Sequence, residues 1–468
     1  MQKRRRPAHG SRAILVFLLV VLLLVGALAF LLTQLFGGCA PAADDRAAAA
    51  FARASASPTA AVAPTPEAGT GAPTEAPTPE AGTEAPTPAG TEAPTEAPTP
   101  EAETEAPAEE PTEIAGPKLP FAPRTATIRA VGDLMMHSEQ LRLARRSGGK
   151  YDFHPQYELI RESLECADYA LANLETTVGL YGDKPYSGYP LFNAPEALLE
   201  AVRDSGIDFL TLANNHMLDR YFDGMVQTVD LVEKHGFDFG GANRTQEEKD
   251  APKIVEVNGI KLGMLCYTEH TNGMDAHSDP RATKFGINYL KDADFAADVK
   301  KLRGAGAEVV IAMAHWGREY KRSPSTYQKH MAKRMAEAGV DVVLGSHPHV
   351  VQPAGFVDVP DGSGGTRRVL VAFSLGNFNS FMSADYTDSG VILQFTLTER
   401  ESGGFDIGGL GFVPTYCWRH SEAVQTLSSA KYYSSPPAGM SGSRVSKMRQ
   451  SGKQLGELMG SGLVMLEK

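Results

Sequence analysis

Cysteine is scarce in this chain, which has 4 cysteines among its 468 residues. Three of them, Cys166, Cys266 and Cys417, lie in the C-terminal part, and none belongs to a Cys-x-x-Cys pair. An odd number of cysteines without that spacing argues against a disulfide framework and against a thiolate metal site. We therefore expect three buried free thiols.

Clustered positive charge is missing from everything beyond the N-terminus. The whole chain has 45 Lys and Arg against 56 Asp and Glu, a net charge of −11. Nucleic-acid-binding domains usually carry a basic stripe or face, and none is present in this sequence. We predict that nucleic acid is not a partner.

Large apolar side chains are nearly absent from residues 41–120. Residues 41–120 are mostly Ala, Pro, Thr and Glu in a short repeat such as "TEAPTPEAGTEAP", with 14 acidic and 3 basic side chains. Such a composition cannot offset its ordering entropy by burial. We predict a disordered linker over residues 36–120, able to extend on the order of 200 Å in a polyproline II conformation.

The N-terminus carries the one long apolar run. Residues 13–32 have no charged side chain, whereas residues 1–12 contain five basic ones. Twenty apolar residues suffice to cross a bilayer, and the flanking positive charge favours a cytoplasmic N-terminus. We predict a cytoplasmic basic segment (1–12), a transmembrane signal-anchor helix (13–35) in the plasma membrane and an extracellular remainder. A cleaved signal peptide, giving a secreted protein, and a lipoprotein attached at Cys39 remain alternatives.

Residues 121–468 alternate between short apolar runs and amphipathic segments of helical length, which favours crossover units and parallel strands. A hairpin is predicted at 253–268, where Asn258-Gly259 separates two strand patterns. We expect an α/β domain of two packed sheets under outer helices. The other predicted strands are 127–131, 169–172, 209–213, 309–314, 341–344, 369–373, 389–397 and 409–418, and the predicted helices are 155–166, 195–204, 222–235, 293–303 and 325–338.

Polar side chains follow six of the predicted strands. In open α/β sheets, ligands gather beyond the carboxyl ends of the strands. Imidazole, carboxylate and amide groups without a thiol are a donor set suited to two divalent metal ions. A carboxylate of Asp133 or Glu175 would bridge the ions, and neutral imidazoles would complete the set. The strand-end residues are Asp133, His137, Asn173, Glu175, Asn214, Asn215, His216, Asp219, His315, His347, His349 and Asn377.

Blocks around these residues resemble the capsule-synthesis CapA family, which is associated with poly-γ-glutamate. The blocks are "VGDLMMH", "ANLETT", "ANNHMLD", "AHWGREY", "GSHPHV" and "SLGNF", in order over residues 128–381. That family in turn resembles the calcineurin-like metallophosphoesterases. The resemblance implies a four-layer α/β/β/α sandwich of the metallo-dependent phosphatase type, with a two-metal site.

The resemblance also implies roles for individual residues. Asp133 matches a metal-binding aspartate, Asn215 an amide ligand, and His216 the histidine that assists the leaving group. Glu175 replaces the usual bridging aspartate, and His137 lies four residues after Asp133 instead of two, which leaves its role as a ligand open. The histidines of the late strands match ligands, and they are His315, His347 and His349.

Two functions are compatible with this pattern. The first is a membrane-anchored hydrolase with two divalent ions, Mn, Fe or Zn, acting on a phosphoester or an anionic envelope polymer such as poly-γ-glutamate. In it, His216 would protonate the leaving group and Arg318 would clamp an anionic group. The alternative is a non-catalytic, metal-containing accessory factor for poly-γ-glutamate synthesis, export or retention, working with other capsule synthesis or export proteins.

Overall fold

The computed structural model describes residues 121–179, 185–362 and 364–468. The predicted cytoplasmic segment (1–12), transmembrane helix (13–35) and linker (36–120) lie outside the described residues. Within the described ranges, no helix combines the length and apolar character needed to span a membrane.

The described residues form strands and helices in alternation through most of the chain. The strands are β1 (Thr125–Leu134), β2 (Tyr169–Leu174), β3 (Thr177–Val178), β4 (Asn193–Ala194), β5 (Phe209–Thr211), β6 (Asp238–Gly240), β7 (Ile254–Val257), β8 (Ile260–Thr268), β9 (Val309–His315), β10 (Val342–Ser346), β11 (Val351–Pro360), β12 (Thr366–Leu375), β13 (Asn377–Asn379), β14 (Ser389–Glu399), β15 (Phe405–Arg419), β16 (Val424–Ser428) and β17 (Val464–Met465). The α-helices are α1 (Ser138–Ala144), α2 (Arg161–Glu165), α3 (Ala197–Asp204), α4 (Tyr221–Lys234), α5 (Gln246–Asp250), α6 (Phe295–Gly304), α7 (Thr326–Glu337) and α8 (Gly442–Met459).

Most strands belong to two mixed sheets. The first has the order β16-β15-β14-β1-β2-β5-β6, with β13 beside β1 and β17 beside β15. Its β1, β2, β5 and β6 are parallel, and β14 to β16 are antiparallel. The second sheet has the order β11-β12-β10-β9-β8-β7. Its four central strands, β12, β10, β9 and β8, are parallel, and the edge strands β11 and β7 are antiparallel to their neighbours. The parallel strands bring their carboxyl ends to the same edge of each sheet.

The central strands are buried on both faces, as their continuous apolar sequences predict. In β2, Leu171 points into an apolar core that lies between the two sheets, while Ala170 and Ala172 point towards α3 and α4. In β9 the same alternation puts Ile311 between the sheets and Val310 under α6 and α7. The two sheets therefore pack against each other, and helices cover their outer faces.

Most of the predicted elements are confirmed, with ends shifted by a few residues. Helix α7 begins after Ser325, whose Oγ accepts a hydrogen bond from the backbone N–H of Gln328, as expected for a helix cap. Asn258 and Gly259 have positive φ angles of 51° and 75° and join antiparallel β7 and β8. The hairpin predicted from Asn-Gly is therefore correct.

Two predictions are wrong. Residues 155–166 are not one helix, because a 3₁₀ turn at His154–Gln156 precedes α2, and only Arg161–Glu165 is α-helical. The second wrong prediction is the burial of Cys166. This residue caps the short helix α2 and is exposed, and its Sγ donates a hydrogen bond to the Glu162 carbonyl. The other two thiols are buried as predicted, and burial raises the pKa of Cys266 to about 12 and that of Cys417 to about 11.

Candidate metal centre

The six predicted metal ligands lie at or just beyond strand ends and are buried. The first sheet contributes those that follow β1, β2 and β5, and the second sheet those that follow β9 and β10. Contacts between the two sheets bring them together: His315 Nε2 lies 2.9 Å from Asn215 Oδ1, and His349 Nδ1 lies 3.0 Å from Asp133 Oδ2. The set is Asp133, Glu175, Asn215, His315, His347 and His349.

Glycine shapes the backbone around Asp133. The Asp133 N–H donates to the carbonyl of Gly376 at 3.0 Å. A Cβ on Gly132 would clash with that same carbonyl oxygen, so the close approach of the two segments requires glycine. The adjoining Asn377 pairs with Asp133 in the sheet. The "GD" and "LGN" sequences thus place an aspartate and an asparagine side by side.

The His347–His349 turn has an uncommon backbone conformation. His347 and His349 have φ angles of 94° and 58°, in a region that non-glycine residues rarely occupy. The carbonyl of Pro348 accepts a hydrogen bond from the Tyr320 N–H at 2.8 Å, and the two imidazole centroids lie 5.9 Å apart. Such strain concentrates at functional sites, where the surrounding structure maintains it.

Asn173 holds the two carboxylates in place. Its Nδ2 donates to Asp133 Oδ1 at 2.8 Å and to Glu175 Oε2 at 3.3 Å. Its own Oδ1 accepts a hydrogen bond from Asn214 Nδ2 at 3.1 Å. One oxygen of each carboxylate is therefore occupied by an amide, and the other is left for a different partner.

The second oxygen of Glu175 has no such partner among the described residues. Glu175 Oε1 is buried without a hydrogen bond from that part of the chain and lies 3.5 Å from His315 Nε2 and 3.7 Å from His349 Nε2. Nδ1 of His347 is likewise buried, with no hydrogen bond to any residue that the structure describes. Leaving a buried polar atom unpaired costs about 1–3 kcal/mol. Cations bound by these side chains would offset this cost.

Three groups of side chains among the described residues could hold a metal ion. They are Glu175–His315–His347, Asp133–Glu175–His349 and Glu319–His347–His349, each with ligand atoms within 4.8 Å of one another. Glu175 belongs to the first two groups. Carboxylate and imidazole donors without a thiolate suit divalent manganese, iron or zinc. The donor set therefore fits divalent metal ions.

The electrostatics of the site favour a bound cation. Burial, reinforced by the charge of Asp133, raises the pKa of Glu175 well above its usual value. Burial lowers the pKa of His315 and of His347, so both imidazoles stay neutral and able to bind a metal. For His349, burial opposes protonation, but the hydrogen bond and charge of Asp133 raise its pKa. A divalent ion would favour the ionised carboxylates.

His216 lies near this centre but in none of the three groups. Its Nδ1 lies 2.8 Å from Asp219 Oδ2, and both side chains are buried. Its ring lies perpendicular to that of Phe192, at a centroid distance of 4.7 Å. The contact with Asp219 fixes the ring and leaves Nε2 as the nitrogen able to exchange a proton.

Neither Arg318 nor His137 belongs to the three groups of candidate ligands. Arg318 is exposed on the loop after β9, and within the described ranges no hydrogen bond joins it to the six predicted ligands. His137 is half-buried, and its Nδ1 lies 3.3 Å from Gln140 Oε1. It belongs to none of the three groups, and burial lowers its pKa to about 3.

Glu319 and His270 also belong to this region, although neither is among the site residues predicted from the sequence. Glu319 lies four residues beyond His315, within the quoted block "AHWGREY". The ring of His270, which follows β8, lies 5.1 Å from that of His347, edge to face. The Asn-Gly pattern predicts the antiparallel pairing of β7 with β8, but β8 also pairs in parallel with β9, and this second pairing brings its carboxyl end to the site. The position of His270 just after β8 is the signal in the sequence that points to it.

Comparisons with known proteins match the central part of the chain. The model of the family described as "Bacterial capsule synthesis protein PGA_cap" matches residues 127–381. The "Capsule biosynthesis protein CapA" of Bacillus anthracis is 30% identical over 289 residues, covering 60% of this chain and 66% of that protein. The "PGA biosynthesis protein CapA" of Bacillus subtilis is 26% identical over 281 residues, covering 59% and 69%. The chain thus spans just under two thirds of the first relative.

Solved structures give a more distant likeness. The calcineurin-like phosphoesterase YfkN from Bacillus subtilis aligns at 14% identity with a TM-score of 0.36, covering 71% of this chain and 98% of that one. The NAD nucleotidase NadN of Haemophilus influenzae aligns at 11% identity with a TM-score of 0.38, covering 74% and 58%.

Proposed function

This chain belongs to the bacterial capsule synthesis protein PGA_cap family, whose model matches more than half of it, and we propose that its strand-end site is a two-metal hydrolytic centre. The proposed substrate is a phosphoester or an anionic polymer of the cell envelope, such as poly-γ-glutamate. The proposed fold is the four-layer sandwich of the metallo-dependent phosphatases.

The sharing of Glu175 between two groups of ligands is the observation that carries this proposal. One group adds His315 and His347, and the other adds Asp133 and His349. Two cations a few ångströms apart need a bridging carboxylate to offset their repulsion. Asn215, whose Oδ1 already approaches His315, supplies a further oxygen donor next to the first group.

Two divalent cations, when bound, supply Lewis-acid polarisation of an anionic substrate and activation of water. The protein supplies a proton donor in His216, because Asp219 holds its Nδ1 and leaves Nε2 able to exchange a proton with the leaving group. Arg318, exposed beyond β9, would hold an anionic group of the substrate at the rim.

A His216→Ala variant tests the hydrolytic function. We expect at least a hundredfold loss of turnover, because general acid catalysis typically contributes about 10²–10⁴-fold, with the metal content unchanged. Turnover would be measured on phosphoesters and on γ-glutamyl polymers, and metal by mass spectrometry. An Asp358→Asn variant, changed at an exposed position on β11, serves as the control. Unchanged turnover in His216→Ala would remove the assigned role.

The names of the relatives favour a second function. They describe proteins of capsule and PGA biosynthesis, and two mycobacterial relatives are named probable polyglutamine synthesis accessory proteins. In this function, the centre would bind carboxylates of poly-γ-glutamate without cleaving it, together with other capsule synthesis or export proteins. Polymer binding that requires metal, without any turnover, would support this second function over the first.

We further propose that the protein is anchored in the plasma membrane. The apolar run at residues 13–35 would form the anchor, and the proline-rich linker would hold the domain outside the cell. A lipoprotein attached at Cys39 and a secreted form are the alternatives. Protease treatment of intact cells, followed by fractionation of the remaining N-terminal fragment, separates the three.

A further inference from the structure

Glu319 is a carboxylate at the border between the centre and solvent. It lies in the loop that joins β9 to α7, four residues beyond His315, and it is partly buried, whereas the other candidate ligands are fully buried. The next residue, Tyr320, donates its N–H to the carbonyl of Pro348 at 2.8 Å. This hydrogen bond ties the loop of Glu319 directly to the turn that carries His347 and His349.

The position of Glu319 relative to these two histidines suits a metal ion. One carboxylate oxygen of Glu319 and one ring nitrogen each of His347 and His349 lie within 4.8 Å of one another. Nδ1 of His347 is buried and has no hydrogen-bond partner within the described part of the chain. A carboxylate and two imidazoles form a common ligand set for divalent first-row metals.

The same two histidines also belong to the groups that contain Glu175. His347 is shared with the Glu175–His315 group, and His349 with the Asp133–Glu175 group. The two imidazoles therefore have one carboxylate on the buried side, Glu175, and another that reaches solvent, Glu319. No other carboxylate of the described residues shares both histidines in this way.

We propose that Glu319 is an additional carboxylate ligand of the metal centre, on its solvent side, and binds a cation together with His347 and His349. This inference rests on the proposed two-metal function, but it adds a residue outside the ligand set predicted from the sequence. Because Glu319 is the least buried member of its group, a cation entering the centre from its side would meet this group before it reaches Glu175.

Cobalt binding tests the proposal without reference to activity. The full-length protein would be stripped with a chelator and titrated with Co²⁺, and the visible spectrum would report the coordination of each bound ion. We expect Glu319→Gln to weaken the binding of one equivalent by about tenfold or more and to change its spectrum. Glu401→Gln, altered in an exposed turn, should match the wild type in both respects.

A Glu319→Asp variant separates ligation from simple charge. Aspartate keeps the negative charge but is one methylene shorter, so a ligand role predicts weakened binding and an altered spectrum in this variant too. If Glu319→Asp binds like the wild type, or if Glu319→Gln does, the ligand proposal is wrong. A wild-type protein that binds no cobalt would instead overturn the two-metal function itself.

Discussion

At the scale of single residues, the charge of Glu175 is the most important feature of the site. This buried carboxylate lies beside Asp133, and one of its oxygens has no hydrogen bond within residues 121–179, 185–362 and 364–468. Burying two neighbouring carboxylates is expensive unless positive charge accompanies them. The same arrangement becomes favourable once divalent ions are bound, which explains why the site keeps both.

A Glu175→Gln substitution tests this charge balance. The amide has nearly the same shape but no negative charge, so we expect the loss of at least one equivalent of metal and at least about tenfold weaker binding of the rest. The measurement is metal content by mass spectrometry with titration of the stripped protein. Glu256→Gln on the exposed face of β7 is the matched control. Full metal content in Glu175→Gln would contradict a bridging role.

At the scale of secondary-structure elements, the close approach of β1 to the Gly376 segment positions Asp133. Gly132 has no room for a side chain because the Gly376 carbonyl occupies the space. The sequence shows the glycine, but only the packed structure shows why it is needed.

We expect a Gly132→Ala substitution to cost about 1–3 kcal/mol of unfolding free energy, the typical cost of overpacking, and to displace Asp133 so that metal is lost too. Gly355→Ala in β11 is the control, because a Cβ there would meet no atom within 4 Å. Urea unfolding and metal analysis measure both effects. Equal stability and metal content in the two variants would show that the close approach does not position the site.

Much of the fold could be predicted from sequence because its central strands are buried on both faces. Strands such as β2 and β9 are continuous apolar runs, and polar residues follow them where parallel strands end. The partners of a strand are harder to predict, since β8 looks like half of a hairpin but also pairs in parallel with β9. That pairing brings His270 to the site.

The contacts that loop residues make with the site could not be predicted from the sequence either. Glu319 follows His315 closely, yet nothing in its spacing shows that its carboxylate turns back towards His347. The predicted helix at 155–166 failed for a similar reason, because proline at its start favoured a helix and the chain forms a 3₁₀ turn there instead. Local propensity is a weak predictor where tertiary contacts decide the conformation.

At the scale of the whole molecule, metal binding should stabilise the fold, because the ligands come from both sheets. A ligand that binds only the folded state adds about 2.7 kcal/mol at a hundred times its dissociation constant. We therefore expect the stripped protein to unfold at a lower temperature and manganese to restore the difference. The His347→Ala/His349→Ala variant is the control and should not respond. Equal melting temperatures with and without metal would contradict this expectation.

Metal content tests the central claim most directly. The wild-type protein and its His347→Ala/His349→Ala variant would be purified separately by the same procedure. Mass spectrometry would measure the metal content of each, and circular dichroism would confirm that both are folded. The two-metal centre predicts about two equivalents of manganese, iron or zinc in the wild type and a clear loss in the variant. A folded wild type that stays empty after metal addition, or a variant that keeps both ions, would contradict it.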